Sequence, residues 1–439
     1  MNDVTFADYE WLIADEATEL LSELADQSAT PKIVARLRRR HSPSQVHLLL
    51  EQIELRRRAR AKFSRAAELY FTRTLLEQAT DDQIAAYKAA RFPADDSSLI
   101  ADLCCGIGGD TMSLAKRAPT VAVDRDPIAT LLTAINTRIA AGHEPTIRTA
   151  ELTPNSLTNI SSLPNPSTHN SLAHNSPAHN SPAHNSPALN SLAPNSSDAV
   201  RFCHVDPDRR ASGGRTTTLE FYSPDADAMR AIVDRVAGAA IKLAPATAVP
   251  DDWRARAELE WIGRGGECRQ QVAWFGELAR CPGRTAATIV DAIGAGTTGV
   301  RTIISGDRPA EPPENSPPRA FLYEPHAAVL AAGLEHQLAE QHELFGVAAG
   351  VAYFTSDERI SDPALAAFEV VDVLPFDERR LRAYLKEHRI GRLEIKKRGL
   401  DVTPEKLRPR LRPSGDRSAT LILFRDTAGA KAIIARRPD

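Results

Sequence analysis

Several apolar runs in this chain close on an acidic side chain. In LIADLCCGIGGDTMSLA, Leu99 to Ala115, Asp102 ends a β-forming run, and Cys104, Gly106, Gly108 and Gly109 follow it. TVAVD ends on Asp124, TIRTAEL carries Glu151, and AVRFCHVD ends on Asp206, with Pro207, Asp208, Arg209 and Arg210 behind it. Carboxylates so placed can hold hydroxyl and amino groups of a ligand, and glycines at positive φ let backbone approach it closely. Metal chemistry is not expected, because none of the five cysteines (Cys104, Cys105, Cys203, Cys268, Cys281) has CxxC spacing. They read as buried free thiols.

Two cofactor classes use a glycine turn between strand and helix. The dinucleotide form wants GxGxxG, and counting from Gly106 the last position falls on Thr111, which disfavours a nicotinamide-dependent oxidoreductase. The carboxylate of Asp102 suits a cationic amino group instead. S-adenosylmethionine carries one and has no pyrophosphate that needs a helix N-terminus. Asp124 is then placed for ribose hydroxyls and Glu151 for the adenine. Taken singly, Asp102 could cap its turn and Asp124 a helix. Taken together with the glycines they read as one cofactor site.

The elements that must position these residues follow from periodicity. Residues 1 to about 95 show helical spacing, as in Trp11, Leu12, Leu20, Leu21 and Leu24 and in Val46, Leu49, Leu50 and Ile53. From Leu99 short β-rich runs alternate with helices, which implies a parallel sheet with crossover helices. A helix entered through Pro127 sets Ile128, Leu131, Leu132, Ile135 and Ile139 on one face, expected to pack on the sheet. AELEWIG and CRQQVAWFG read as an antiparallel pair about Gly265 and Gly266, and ATIVDAI as a further strand. Residues 153–197 hold a tandem HNSPA-like repeat, expected to be a disordered loop in which His169, His174, His179 and His184 have no role. Residues 306–318 are Pro-rich and read as a linker. YEPHAAVLAAGLEHQLAE, beyond it, reads as a helix entered through Pro325.

DLCCGIGGD, AVDRDP and HVDPDRR resemble class I S-adenosylmethionine-dependent methyltransferases, specifically a bacterial group with a THUMP-like C-terminal domain. KFSRAAELYFTRTLLEQAT, ELEWIGRGGECRQQ, LYEPHAAVLAAG and LEIKKRGLDV carry the likeness over nearly the whole chain outside the repeat. The resemblance implies an α/β fold: a helical region over 1–95, a Rossmann-like core over 96–305, the linker, and an α+β THUMP-like domain over 319–439. CGIGGD and TDDQIAAY are more distantly similar to trimethylguanosine synthase, which implies that Gln78 and Thr80 line the cofactor pocket, though Thr80 reads equally well as a helix cap; Cys104 on the glycine turn is a further cofactor candidate. Related amino-group methyltransferases end the fourth strand in D/N/S-P-P-aromatic. Here the corresponding residues run Asp206-Pro207-Asp208-Arg209-Arg210, so Asp206 and Asp208 become the catalytic candidates and no ring is there to stack a base. Asp206, before a proline, is held extended and can aim its carboxylate at a cleft.

A net charge of -3 gives no global argument for nucleic acid, so the argument is local. Basic clusters occur at Arg36 to Arg40, at Arg56, Arg57, Arg58, Arg60, Lys62 and Arg65, and densely over 379–413. Lys396, Lys397 and Arg398, with Arg209 and Arg210, are the candidate contacts to RNA phosphates; each cluster could equally be a solvated surface. THUMP domains accompany enzymes that modify tRNA and other structured RNA, which makes tRNA or rRNA the expected partner. An acidic N-terminus and the lack of a long apolar run point to the cytoplasm and away from membranes. An RNA-binding protein that keeps the cofactor fold without catalysis, and a methyltransferase of proteins or small molecules, are the alternatives.

Overall fold

The computed structural model describes residues 4–27, 30–152, 200–209, 216–292 and 298–438. The tandem repeat with its histidines, and Arg210, lie outside the described residues. The chain divides into two compact units, residues 1–258 with 272–282 and residues 259–271 with 283–439.

The first unit opens with six helices: α1 (Phe6–Leu12), α2 (Asp15–Leu24), α3 (Pro31–Leu37), α4 (Pro43–Ala59), α5 (Arg73–Gln78) and α6 (Asp82–Ala89). A reciprocal capping box between Ser42 and Gln45, with Pro43 in the first turn, fixes where α4 begins. Leu12, Leu21, Leu49 and Leu55 are buried in a shared core, each contributing about 1.5–3 kcal/mol by leaving water.

Next come β1 (Leu99–Leu103), α7 (Thr111–Leu114), β2 (Thr120–Asp124), α8 (Pro127–Ala141), β3 (Thr146–Thr149), β4 (Val200–Val205), α9 (Ala226–Val233), β5 (Gly238–Leu243) and α10 (Asp251–Arg256). The five strands are parallel in the order β3-β2-β1-β4-β5. Their carboxyl ends therefore share one edge, where ligands of open α/β sheets sit. β3 is shorter than TIRTAEL suggests, which leaves Glu151 just beyond its end.

The apolar face of α8 does not do what its periodicity predicts. Leu132 and Ile135 join the core of the N-terminal helices, and Ile128, Leu131 and Ile139 pack against that same core. The smaller residues turn the other way, with the Thr130 hydroxyl 2.9 Å from that of Thr149 on β3. Asn136 donates to the carbonyls of Tyr70 and Ile107 and accepts from the Tyr70 amide, tying the preceding irregular segment to this helix. Periodicity reports that a face is buried and is silent on what buries it.

The unit boundaries fall within β6 (Glu258–Arg264) and β7 (Glu267–Gly276). In the second unit β8 (Thr285–Ala292) runs parallel to β6 and antiparallel to β9 (Thr298–Ile304). It continues through β10 (Phe321–Pro325), α11 (Ala327–Ala332), α12 (Glu335–Gln341), β11 (Phe345–Gly346), β12 (Phe354–Ser356), β13 (Leu365–Pro375), α13 (Glu378–Glu387), β14 (Ile390–Lys397), α14 (Pro404–Leu411), β15 (Arg417–Asp426) and β16 (Gly429–Arg436). These strands form a seven-stranded sheet in the order β11-β12-β10-β13-β16-β15-β14.

The helix expected from Pro325 is a strand and two helices. Pro325 ends β10, His326 caps α11 through its ring nitrogen, and Gly333 at φ 68° separates α11 from α12. Among the described residues, no helix is long and apolar enough to cross a membrane, and no cluster of His, Cys, Asp and Glu could hold a metal ion.

Candidate active site

A cleft of about 330 Å³ opens at the carboxyl ends of β1, β2 and β4. Asp102, Cys104, Gly106, Gly109, Asp124 and Glu151 line it, as do Gln78, Thr80, Asp110, Asp206, Asp208 and Arg209. Gly108 is not part of it. At φ +81° a side chain there would be strained, and its Cβ would sit 3.1 Å from Thr133 on α8. Gly109 admits protein, since a Cβ would stand 3.0 Å from the Thr80 carbonyl oxygen. Gly106, at φ +59°, meets nothing nearer than Leu75 at 4.0 Å, so it alone of the three faces open space.

The Gly106 amide donates to Asp124 Oδ2 at 2.9 Å, and the Asp126 amide to Oδ1 at 3.0 Å. Burial still raises the Asp124 carboxyl above its ordinary value, against the relief given by these amides. Burial, with Asp124 the foremost of several carboxylates, pushes the Cys104 thiol well up; Cys105 is raised in the same way by burial and by Asp102.

Asp102 is almost fully buried, and both of its oxygens are engaged. Thr111 donates to Oδ2, and His204 Nδ1 lies 2.8 Å from Oδ1. On its other nitrogen His204 meets the Lys88 ammonium at 3.0 Å. Lys88 also reaches Asp110 Oδ1 at 2.7 Å, and Asp110 Oδ2 accepts from the Thr80 hydroxyl at 2.7 Å. Burial would raise the Asp110 carboxyl, but Lys88, then His204 and Lys242, overcome it and hold it well below the carboxylate range. Lys242 on β5 closes the chain, donating to Asp206 Oδ2 at 2.6 Å, Thr80 Oγ1 at 3.0 Å and the Gln78 carbonyl at 3.3 Å. At the rim Arg125 pairs with Asp208 at 2.9 Å.

Lys88 and Lys242 lie outside the motifs, and Asp110 and His204, though within DLCCGIGGD and HVDPDRR, are not read there as site residues. One signal is present in the chain. A lysine inside the buried strand GAAIKL has to find a charged partner or leave the core.

The basic clusters fare differently from their reading as phosphate contacts. Lys396 donates to Glu324 Oε2 at 2.7 Å and Arg398 to Oε1 at 3.1 Å, so the two cations share one carboxylate inside the second unit. Lys397 is exposed. Lys62 caps α5, donating to the carbonyls of Leu76, Glu77 and Ala79, and Arg57 bonds the carbonyls of Ala25 and Gln27. On α13, Arg379, Arg380, Arg382 and Lys386 are exposed beside the buried Leu381 and Leu385.

Residues 365–437 match a family described as THUMP domain-like, and residues 5–59 a domain family of unknown function. The chain is 28% identical over 393 residues to an uncharacterized S-adenosylmethionine-dependent methyltransferase of Mycobacterium tuberculosis, found in strains CDC 1551 and H37Rv. That alignment covers 87% of this chain and 93% of the relative. Among solved structures, a methyltransferase candidate from Porphyromonas gingivalis W83 is similar at a TM-score of 0.72 and 20% identity, over 97% of this chain and 98% of that one.

Proposed function

We propose that this chain, which has the class I S-adenosylmethionine-dependent methyltransferase fold and a C-terminal THUMP-like segment, methylates bases of structured RNA such as tRNA or rRNA. The observation that carries the reading is the cleft: Asp102, Asp124 and Asp206, from the ends of three neighbouring parallel strands, line one cavity beside the glycine turn. The cavity lies where the fold places its ligands.

The residues present fit the cofactor. Open space stands before Gly106, where a Cβ would otherwise intrude. Asp124 has one amide on each oxygen and keeps a lone pair on each for ribose hydroxyls. Glu151, in the cleft lining beyond β3, is the candidate for the adenine, and Gln78 and Thr80 belong to the same lining. Asp102 and its carboxylate neighbours make the site favourable to an ammonium group. When bound, the sulfonium supplies an electrophilic methyl group. The protein's own part is positioning, which can be worth several kcal/mol of barrier. Asp206 accepts a hydrogen bond from the target amino group and aims its lone pair, while Asp208, fixed by Arg125, shapes the rim. Arg209 in the wall suits a neighbouring phosphate.

The THUMP-like segment and the exposed cations of α13 support RNA as the partner, and with it a cytoplasmic location. One observation favours a second reading. Among the described residues the cleft wall holds no aromatic side chain to stack a base, as expected if the acceptor is a protein or small molecule. Tritiated methyl transfer to total RNA decides between them. Labelled RNA, with the label lost in Asp206→Ala, supports the first reading. Label in the protein or small-molecule fraction supports the second, and cofactor binding without transfer rejects both. Nucleoside mass spectrometry of a deletion strain then identifies the modified base.

A further inference from the structure

Lys242 stands where three separate pieces of the cleft meet. Its ammonium has three protons, and the structure offers it three acceptors: Asp206 Oδ2 at 2.6 Å, Thr80 Oγ1 at 3.0 Å and the Gln78 carbonyl at 3.3 Å. The direction of each bond is fixed. Asp110 is held ionised by Lys88, so the Thr80 hydroxyl proton points to Asp110 and its oxygen is left to accept from Lys242. The Lys242 side chain is 8% exposed and that of Asp206 26%, so the pair straddles the cleft surface with the cation inside. Asp206 Oδ1 takes no protein donor among the described residues.

We infer that Lys242 is a positioning residue for methyl transfer: it locks Asp206 Oδ2 in the wall, leaves Oδ1 as the acceptor for the incoming amino group, and ties that carboxylate to the 78–80 segment. The inference rests on the methyltransferase reading and adds a residue to it. A lone carboxylate at a strand end rotates freely about χ2. One bonded on a single side by a buried cation presents its other oxygen in one direction. Because Lys242 also holds the Gln78 carbonyl and the Thr80 hydroxyl, the acceptor and the cofactor wall move together.

The test uses the full-length protein as wild type, Lys242→Met, Lys242→Arg, Asp206→Asn and the Lys242→Met/Asp206→Asn double variant. S-adenosylhomocysteine titration calorimetry reads binding, and tritiated transfer to total RNA reads kcat and KM. Lys242→Met is expected to lower kcat about a hundredfold and S-adenosylhomocysteine affinity by clearly less, no more than about tenfold, through the 78–80 wall it holds. Lys242→Arg should regain most of the turnover, and the double variant should be no slower than Asp206→Asn alone, since the two residues act as one unit. Parallel loss of binding and turnover, or additive losses in the double variant, overturns the inference.

An arm without substrate separates its failure from that of the RNA reading. In protein labelled with ¹⁵N-lysine, the slowly exchanging ammonium resonance lost in Lys242→Met should move in Asp206→Asn and stay in place in Asp208→Asn. An unmoved resonance refutes the pair, even where wild type binds S-adenosylhomocysteine and leaves RNA unmethylated. That last result refutes the RNA reading alone.

Discussion

His204 Nε2 lies 3.0 Å from the ammonium nitrogen of Lys88. On its other side the imidazole Nδ1 lies 2.8 Å from Asp102 Oδ1. The strand-end acid at the head of the glycine turn is thus anchored through His204 to Lys88. Its carboxylate is part of a buried framework as well as of the cleft wall.

Removing one member of that framework should destabilise the fold strongly. Lys88→Met strips Asp110 of its principal counter-charge and removes the ammonium that lies 3.0 Å from His204 Nε2. The expected loss is about 3–5 kcal/mol, read as a lower urea midpoint with an unchanged slope.

Acid should weaken the fold through Asp110. Burial opposes its ionisation, but Lys88, His204 and Lys242 win, so its folded-state value is depressed. Its contribution is fully present above the unfolded value, about 4, and is lost as pH falls from there through the folded value. Urea midpoints measured from pH 6 downward should fall more steeply for wild type than for Asp110→Asn.

The two inner glycines should separate stability from binding. Gly108→Ala places a side chain at φ +81° against Thr133; it should cost about 1–2 kcal/mol from backbone strain, with crowding added. Gly109→Ala pushes on the Thr80 carbonyl at 3.0 Å. Calorimetry should show its main effect on S-adenosylmethionine affinity, through the 78–80 wall.

Asp124→Ala should weaken S-adenosylmethionine binding about tenfold, or about 1.4 kcal/mol. It also frees the Gly106 amide that the carboxylate holds at 2.9 Å. Unchanged affinity would remove Asp124 from the cofactor site.

The cations of the THUMP-like segment should divide by their partners. Charge reversal at Arg379, Arg382 and Lys386, exposed on α13, should weaken RNA binding and flatten its salt dependence by about one unit of slope for each phosphate no longer neutralised. Lys396→Met breaks the bond to Glu324. It should lower the melting temperature and leave the salt slope alone.

Much of the fold and the site is legible in the chain. The alternation of strands and helices after Leu99 implies parallel strands, and parallel strands bring Asp102, Asp124 and Asp206 to one edge whatever the loops do. Pro127 marks a helix start by local backbone chemistry, which needs no tertiary information. Pro325 misleads because a proline fits the end of a strand as well as the first turn of a helix. The apolar face of α8 points to the sheet only by default, because periodicity carries no address for the surface that covers it.

The sequence by itself determined the strand-end acids, the glycine turn and the class of ligand they suit, since each depends on a few adjacent residues. Only the tertiary structure decided that Lys88, Asp110, His204 and Lys242 join those acids into one network, and that Lys62 and Lys396 direct their charge to the protein itself. Pairing of buried charges depends on distances of about 3 Å between residues far apart in the chain. Such distances exist only once the fold has closed.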